Sequence, residues 1–253
     1  MTLAGVILTF NEERHIEETI ASLKKVADEI LVIDSGSTDR TVELAKASGA
    51  RVLFRAWDND FAAQRNFALD SASAEWILYI DADERVTDEL AANIKTAISG
   101  KETCVFSFKR HNISFGKKFR FGVFRPDMVS RLFPRTQGRW TGLVHERIES
   151  SLPEKTIKGH LIHYSFENWE QYFVKFNSYT TLWAHEAYAN GKKTSLPGAY
   201  GRSVFQFIKM GVFNLGFLDG IMGLITTTLH FQYTLIKYLK LHRIRKNQRD
   251  DVP

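Results

Sequence analysis

A chain of 253 residues, 44% hydrophobic and 25% charged, carries enough apolar material for one sizeable core, which excludes wholesale disorder. Its formal net charge of +5 is unevenly spread: Lys237, Lys240, Arg243, Arg245, Lys246 and Arg249 follow one another with no acid before Asp250. Such a basic run points to an anionic surface, while the single cysteine, Cys104, excludes an intrachain disulfide and a cysteine-built zinc site.

The apolar run 3–8 reads as a buried strand. It is cut short by Asn11-Glu12-Glu13 and lacks a basic leader, so it is not a signal peptide and the domain is expected to stay in the cytosol. Ile16, Ile20, Leu23 and Ala27 recur at helical spacing behind Asn11, the expected N-cap. A second strand is predicted at 29–33, and a helix at 38–48 closed by Gly49. Strands at 51–54 and 76–80 flank a helix at 60–71. Thr87 caps a further helix that ends at Gly100, and residues 104–108 make a fifth strand. Strand and helix alternate, and the strands are apolar throughout. That predicts an α/β fold with a mostly parallel sheet flanked by helices. Residues 110–165 lose this period and suit irregular loops with short antiparallel strands. From 169 to 253 the pattern is helical again. Trp169, Tyr172, Phe173, Phe176, Tyr179 and Trp183 form a stripe at helical spacing, expected to pack in a core.

In a doubly wound sheet, ligands bind beyond the carboxyl ends of the strands. Thr9-Phe10-Asn11-Glu12, the run from Asp34 to Asp39, and Asp81-Ala82-Asp83 each follow a predicted strand, so folding brings all three to one rim. Two carboxylates at i and i+2 project to one side of an extended chain and need a positive partner. Mg²⁺ or Mn²⁺, bridging to a diphosphate, meets that need.

These segments resemble the inverting family-2 glycosyltransferases of the GT-A fold. Arg131-Leu132-Phe133-Pro134-Arg135, Gly142-Leu143-Val144-His145-Glu146 and His163-Tyr164-Ser165-Phe166 are similar to the bacterial branch that adds a β-linked glucose to the lipopolysaccharide inner core. The resemblance implies a nucleotide-sugar half over 1–109, an acceptor and catalytic-base region over 110–168, and a C-terminal helical extension over 169–253. It implies that Asp34 bonds the nucleobase, with Thr9 and Asn11 lining that pocket, Glu12 beside it and Arg65 against the nucleotide. Asp81 would bind the ribose and share the metal region with Asp83. Glu146 stands at the place of the catalytic base, Asp127 is its rival, and His163 or His160 would complete the metal shell. The implied reaction is a single displacement from a UDP-sugar, aided by Mg²⁺ or Mn²⁺, onto a glycan or glycolipid.

Between Lys209 and Lys237 the only charged side chain is Asp219. A carboxylate near the middle of a span costs about 2.5–3.5 kcal/mol, so helices lying in the interface and anchored by the basic run are expected instead. The enzyme is thus expected at the cytoplasmic face of the bacterial inner membrane, on an anionic lipid surface and without nucleic acid. Two other readings start from the same residues. A nucleotidyltransferase needs a basic, glycine-rich loop after the first strand, where this chain has Asn11-Glu12-Glu13. A non-catalytic, membrane-bound binding protein would have no use for Asp34, Asp81, Asp83 and Glu146 together.

Overall fold

The computed structural model describes residues 1–100, 102–142 and 146–250, the last three by their backbone alone. The chain divides into two compact units, one of Met1–His111 and Asp127–Tyr164, the other of Asn112–Pro126 and Ser165–Pro253.

The first unit is built on β1 (Leu3–Thr9), β2 (Glu29–Asp34), β3 (Arg51–Phe54) and β4 (Trp76–Asp81). These pair in parallel in the order β3-β2-β1-β4. Their residues alternate between two apolar layers. Leu3, Ile7, Val32 and Leu78 meet α1 (Ile16–Leu23), α2 (Thr41–Ala47) and α4 (Asp88–Ser99), whereas Ala4, Val6, Leu31, Ile33 and Tyr79 meet α3 (Phe61–Ser71). Burial on both faces explains why β1, β2 and β4 read as continuous apolar runs, while β3 at the sheet edge is only half-covered.

Beyond β4 the sheet turns antiparallel. β8 (Asp127–Pro134) pairs with β4 and with β6 (Val105–Ser114), and β11 (Glu154–Phe166) pairs with β5 (Glu84–Val86). A small hairpin, β9 (Arg139–Thr141) with β10 (Arg147–Glu149), stands apart from the sheet. The short antiparallel strands expected over 110–165 are present in the hairpin of β9 and β10, three residues each, but they stand beside three longer strands of ten, eight and thirteen residues. Their alternation is blurred in sequence because Arg110 and Arg131 take inward positions for a charged network rather than an apolar core.

Three helix starts also differ from expectation. α1 begins at Ile16 behind His15, and Asn11 is no cap: it adopts φ 55° and accepts the Thr38 amide at 2.8 Å. α2 begins at Thr41 because Thr38 and Asp39 are held in that same loop, where side-chain bonds compete with helix formation. Thr87 caps α4 as predicted, by accepting the Leu90 amide, while α3 begins at Phe61, one residue after its expected start, with Asp60 as its cap accepting the Ala63 amide.

In the second unit, β7 (Lys117–Lys118) pairs with the far end of β6. α5 (Trp169–Ala189), α6 (Leu196–Ile208) and α7 (Gly220–Asp250) enclose a small core of Ala184, Ala187, Ala199, Tyr238 and Leu241. The aromatic stripe of α5 is only partly in a core. Tyr172 is buried and Trp183 packs on Tyr238, while Phe173 and Tyr179 are exposed. Among the described residues no single helix is long and apolar enough to cross a membrane; Leu196–Phe213 and Gly216–Asn247 pass that test only together, bent by 66°.

Candidate active site

The loops that follow β1 and β2 are knitted together by polar bonds. The Asn11 amide donates to Ser37 Oγ at 2.9 Å, the Glu12 amide to Thr41 Oγ1 at 2.8 Å, and the Glu13 amide to Asp39 at 3.1 Å. Burial works to raise the Asp39 carboxyl, but bonds from the Thr41 hydroxyl and the Thr41 and Glu13 amides outweigh it and hold it low. Asp34, buried at the end of β2, accepts the amides of Gly36 and Ser37 at 2.9 and 3.1 Å. Thr9, paired with Asp34 across the strands, is buried, and its hydroxyl has no partner among the described residues. A buried hydroxyl is costly to leave unbonded, so this corner suits a polar ligand such as a nucleobase.

The end of β4 carries a chain of alternating charges. Arg131 grips Asp81 through both its terminal nitrogens, at 2.9 and 3.4 Å, and Arg65 bonds the same carboxylate at 3.2 Å. Arg65 reaches Glu146 at 3.2 Å. On the other side Glu84, fully buried, accepts the Asp81 amide at 2.9 Å and Arg110 at 3.0 Å. Arg110 in turn holds Asp127 at 2.7 and 3.1 Å. Burial alone would raise the Asp81 carboxyl, yet Arg131 and Arg65 override it and keep Asp81 well below the usual carboxylate range. Burial opposes the charge on Arg131 and Arg110 too. Asp81 and Glu84 keep Arg131 protonated, and Asp127 and Glu84 do the same for Arg110. Arg65 is the strained member. Burial and the like charge of Arg131 lower it, and two of its nitrogens lack a partner among the described residues while its guanidinium lies over the Trp140 ring at 4.7 Å.

Asp83 stands apart from this chain. Its carboxylate meets His163 Nε2 at 3.3 Å, both side chains being about four-fifths buried. Burial lowers His163, but its bond to Asp83 and that residue's charge outweigh it, and the imidazolium is favoured. His160, three residues earlier on β11, packs instead against the His111 ring at 4.4 Å. Since Asp81 already accepts from two arginines, Asp83 and His163 are the pair whose donors suit a divalent ion, and such an ion would bind in exchange for the His163 proton. No group of three or more His, Cys, Asp or Glu forms a cage among the described residues, so diphosphate and water oxygens would have to complete the shell.

A cavity of about 410 Å³ opens beside Glu146, with Arg131, Trp140, Arg147, Leu152 and Glu154 among its walls. The profile of glycosyl transferase family 2 matches residues 6–152, which takes in the rim, the charge chain and this cavity's inner wall. The chain belongs to glycosyl transferase family 2. The transferase is 27% identical to a glycosyltransferase of Rickettsia bellii over 96% of its own length and 86% of that protein. It is 27% identical to the lipopolysaccharide core biosynthesis glycosyltransferase LpsC of Rhizobium meliloti, over 97% of its own length and 94% of that one. A solved structure of residues 1–349 of S. aureus TarS with UDP-GlcNAc matches 45% of the transferase and 35% of that solved chain, at 24% identity and a TM-score of 0.39.

The fold gathers Thr9, Asn11, Glu12 and Asp34 at one end of the parallel strands. It links Arg65, Asp81, Glu146 and Asp127 through guanidinium groups, and sets Asp83 against His163. His145, in the segment before Glu146, lies outside the described residues. Sequence reasoning passed over Glu84, Arg110 and Arg131 as network members. The available signal was an arginine inside an otherwise apolar strand, as in Val129-Ser130-Arg131-Leu132-Phe133.

Proposed function

We propose that the transferase moves glucose from UDP-glucose to a hydroxyl of the lipopolysaccharide inner core, with inversion at the anomeric carbon. The observation that carries this reading is near full-length similarity to LpsC, whose name places it in lipopolysaccharide core synthesis. The loops around Asp34, Asn11 and Thr9 hold the nucleobase, and Asp81, kept ionised by its arginines, faces the ribose. The cavity beside Glu146 takes the acceptor sugar, its mix of Trp140 and charged walls suiting a polyhydroxylated ring. Glu146 takes the acceptor's hydroxyl proton as attack proceeds. It is preferred to Asp127 because Arg110 occupies both Asp127 oxygens, whereas Arg65 bonds only one of Glu146. A Mg²⁺ or Mn²⁺ held by Asp83 and His163 would supply Lewis-acid stabilisation of the leaving diphosphate. Because the acceptor is a glycolipid, the same reading puts the enzyme at the cytoplasmic face of the bacterial inner membrane.

The test is transfer from a panel of UDP-hexoses to core-truncated lipopolysaccharide, with the product's anomeric configuration read by NMR. A β-linked glucose, formed only with a divalent ion present, supports the proposal. Transfer of another sugar, or retention of configuration, overturns it.

A further inference from the structure

We propose that the bend between α6 and α7 is a re-entrant wedge that buries its tip in the apolar layer of an anionic bilayer. This rests on the membrane reading above and says which surface makes the contact. The bend consists of a π turn (Lys209–Phe213), a left-handed Leu215 at φ 56° and a 3-10 turn (Gly216–Asp219). Its outer surface is apolar and open: Phe213 is 71% exposed, Leu218 65% and Ile221 71%, with Ile208, Val212 and Leu215 also exposed. Exposed apolar side chains this closely spaced, on one short bend, mark an interaction surface.

Charge names the occupant. From residue 196 to 247 the chain has one acid, Asp219, and residues 112–126, which bond to the bend, have none. Asp219 is itself hidden. It is 7% exposed and accepts the amides of Arg120 and Phe121 at 3.1 and 2.8 Å, while Lys117 bonds its carbonyl. The charge that argues in sequence against insertion is therefore kept away from lipid. Lys118, Arg120, Arg125 and Lys209 are exposed, so the bend and the segment bonded to it present cations and no exposed acid, as an anionic headgroup layer requires. The bend is also preformed. A Cβ on Gly216 would lie 2.5 Å from the Met210 carbonyl, and one on Gly223 would lie 1.9 Å from the Gly216 carbonyl, so the backbones touch only because both are glycine.

The basic run at the end of α7 is less available than its sequence suggests. Lys240 is held by the Asn177 carbonyl and side chain and by the Thr180 and Thr181 hydroxyls at 2.7–3.0 Å. Lys237 lies over the Trp183 ring at 4.6 Å, and Arg245 reaches the Lys192 carbonyl at 3.4 Å. These cations fasten α7 to its own unit.

The test uses the full chain with vesicles of phosphatidylethanolamine and phosphatidylglycerol. Leu218→Cys labelled with an environment-sensitive fluorophore should shift to the blue on vesicle addition and be quenched by acyl-chain bromines. Phe213→Ser, Leu218→Ser and Ile221→Ser together should weaken flotation by about tenfold or more with an unchanged melting temperature. Neutralising Arg243 and Lys246 should change flotation far less. If the protein floats while the label stays in water, another surface makes the contact: the wedge is wrong and the membrane reading survives. If it does not float, both fail, and a dimer in solution that the triple variant dissolves would show a second copy as the occupant.

Discussion

At the scale of single residues, the two candidate bases differ in what already holds them. Glu146→Gln keeps size and hydrogen bonding but cannot take a proton, so kcat should fall at least ~10²-fold with the donor KM nearly unchanged. Asp127→Asn should cost much less; the reverse order in steady-state assays would transfer the role. Asp83→Ala should abolish transfer, as should a chelator on the wild type, with Mn²⁺ or Mg²⁺ restoring the latter. Activity that survives both treatments rejects the Asp83–His163 site. Arg131 lies between Asp81, whose side chain is one-third exposed, and the fully buried Glu84. Arg131→Met should therefore destabilise the fold by about 1.5–3 kcal/mol, the range for a hydrogen bond to a charged group, because Asp81 and Glu84 keep only Arg65 and Arg110 as partners. Adding Asp81→Asn should recover part of the lost melting temperature.

At the scale of elements, β11 approaches α4 through Gly159. Its φ is +99°, and a Cβ there would lie 2.7 Å from the Leu90 backbone. Gly159→Ala is thus unfavourable twice, by conformation and by contact, and should lower thermal stability by on the order of 2–4 kcal/mol. His230 on α7 offers a test by pH. Burial, with Lys237 and Lys209 adding to it, pushes its imidazole from 6.5 down to about 4. The folded chain therefore binds fewer protons there than the unfolded chain. This contribution is fully present above about pH 6.5 and is lost as pH falls towards 4, by on the order of 1–3 kcal/mol. His230→Asn should flatten the slope of stability between pH 6.5 and 5 relative to the wild type; equal slopes would show that His230 titrates normally.

At the scale of the whole molecule, the proposed chemistry and the proposed anchoring draw on different residues. The wedge substitutions should leave transfer to a small soluble acceptor intact while slowing transfer to a vesicle-borne one. Equal losses with both acceptors would show that the bend serves the fold rather than the membrane.

What the sequence determined by itself was whatever follows from local rules. The parallel strands, the cap at Thr87, and the polar groups at strand ends are set by periodicity and short-range bonding, as in the rim that carries Asp34, Asp81 and Asp83. The start of α1 escapes local rules because Asn11 bonds to Thr38, a residue 27 positions away. The tertiary structure alone decided how charges pair. Glu146 joins Arg65 across 81 residues, and Asp83 meets His163 across two strands, so neither link leaves a trace in spacing. It also decided which charges face outward. Asp219 looks like a barrier to lipid and Lys240 like an anchor, yet folding buries the first in backbone amides and fastens the second to α5. A side chain's charge is legible in sequence, but its partner is a long-range property, and the partner governs whether that charge meets solvent, substrate or membrane.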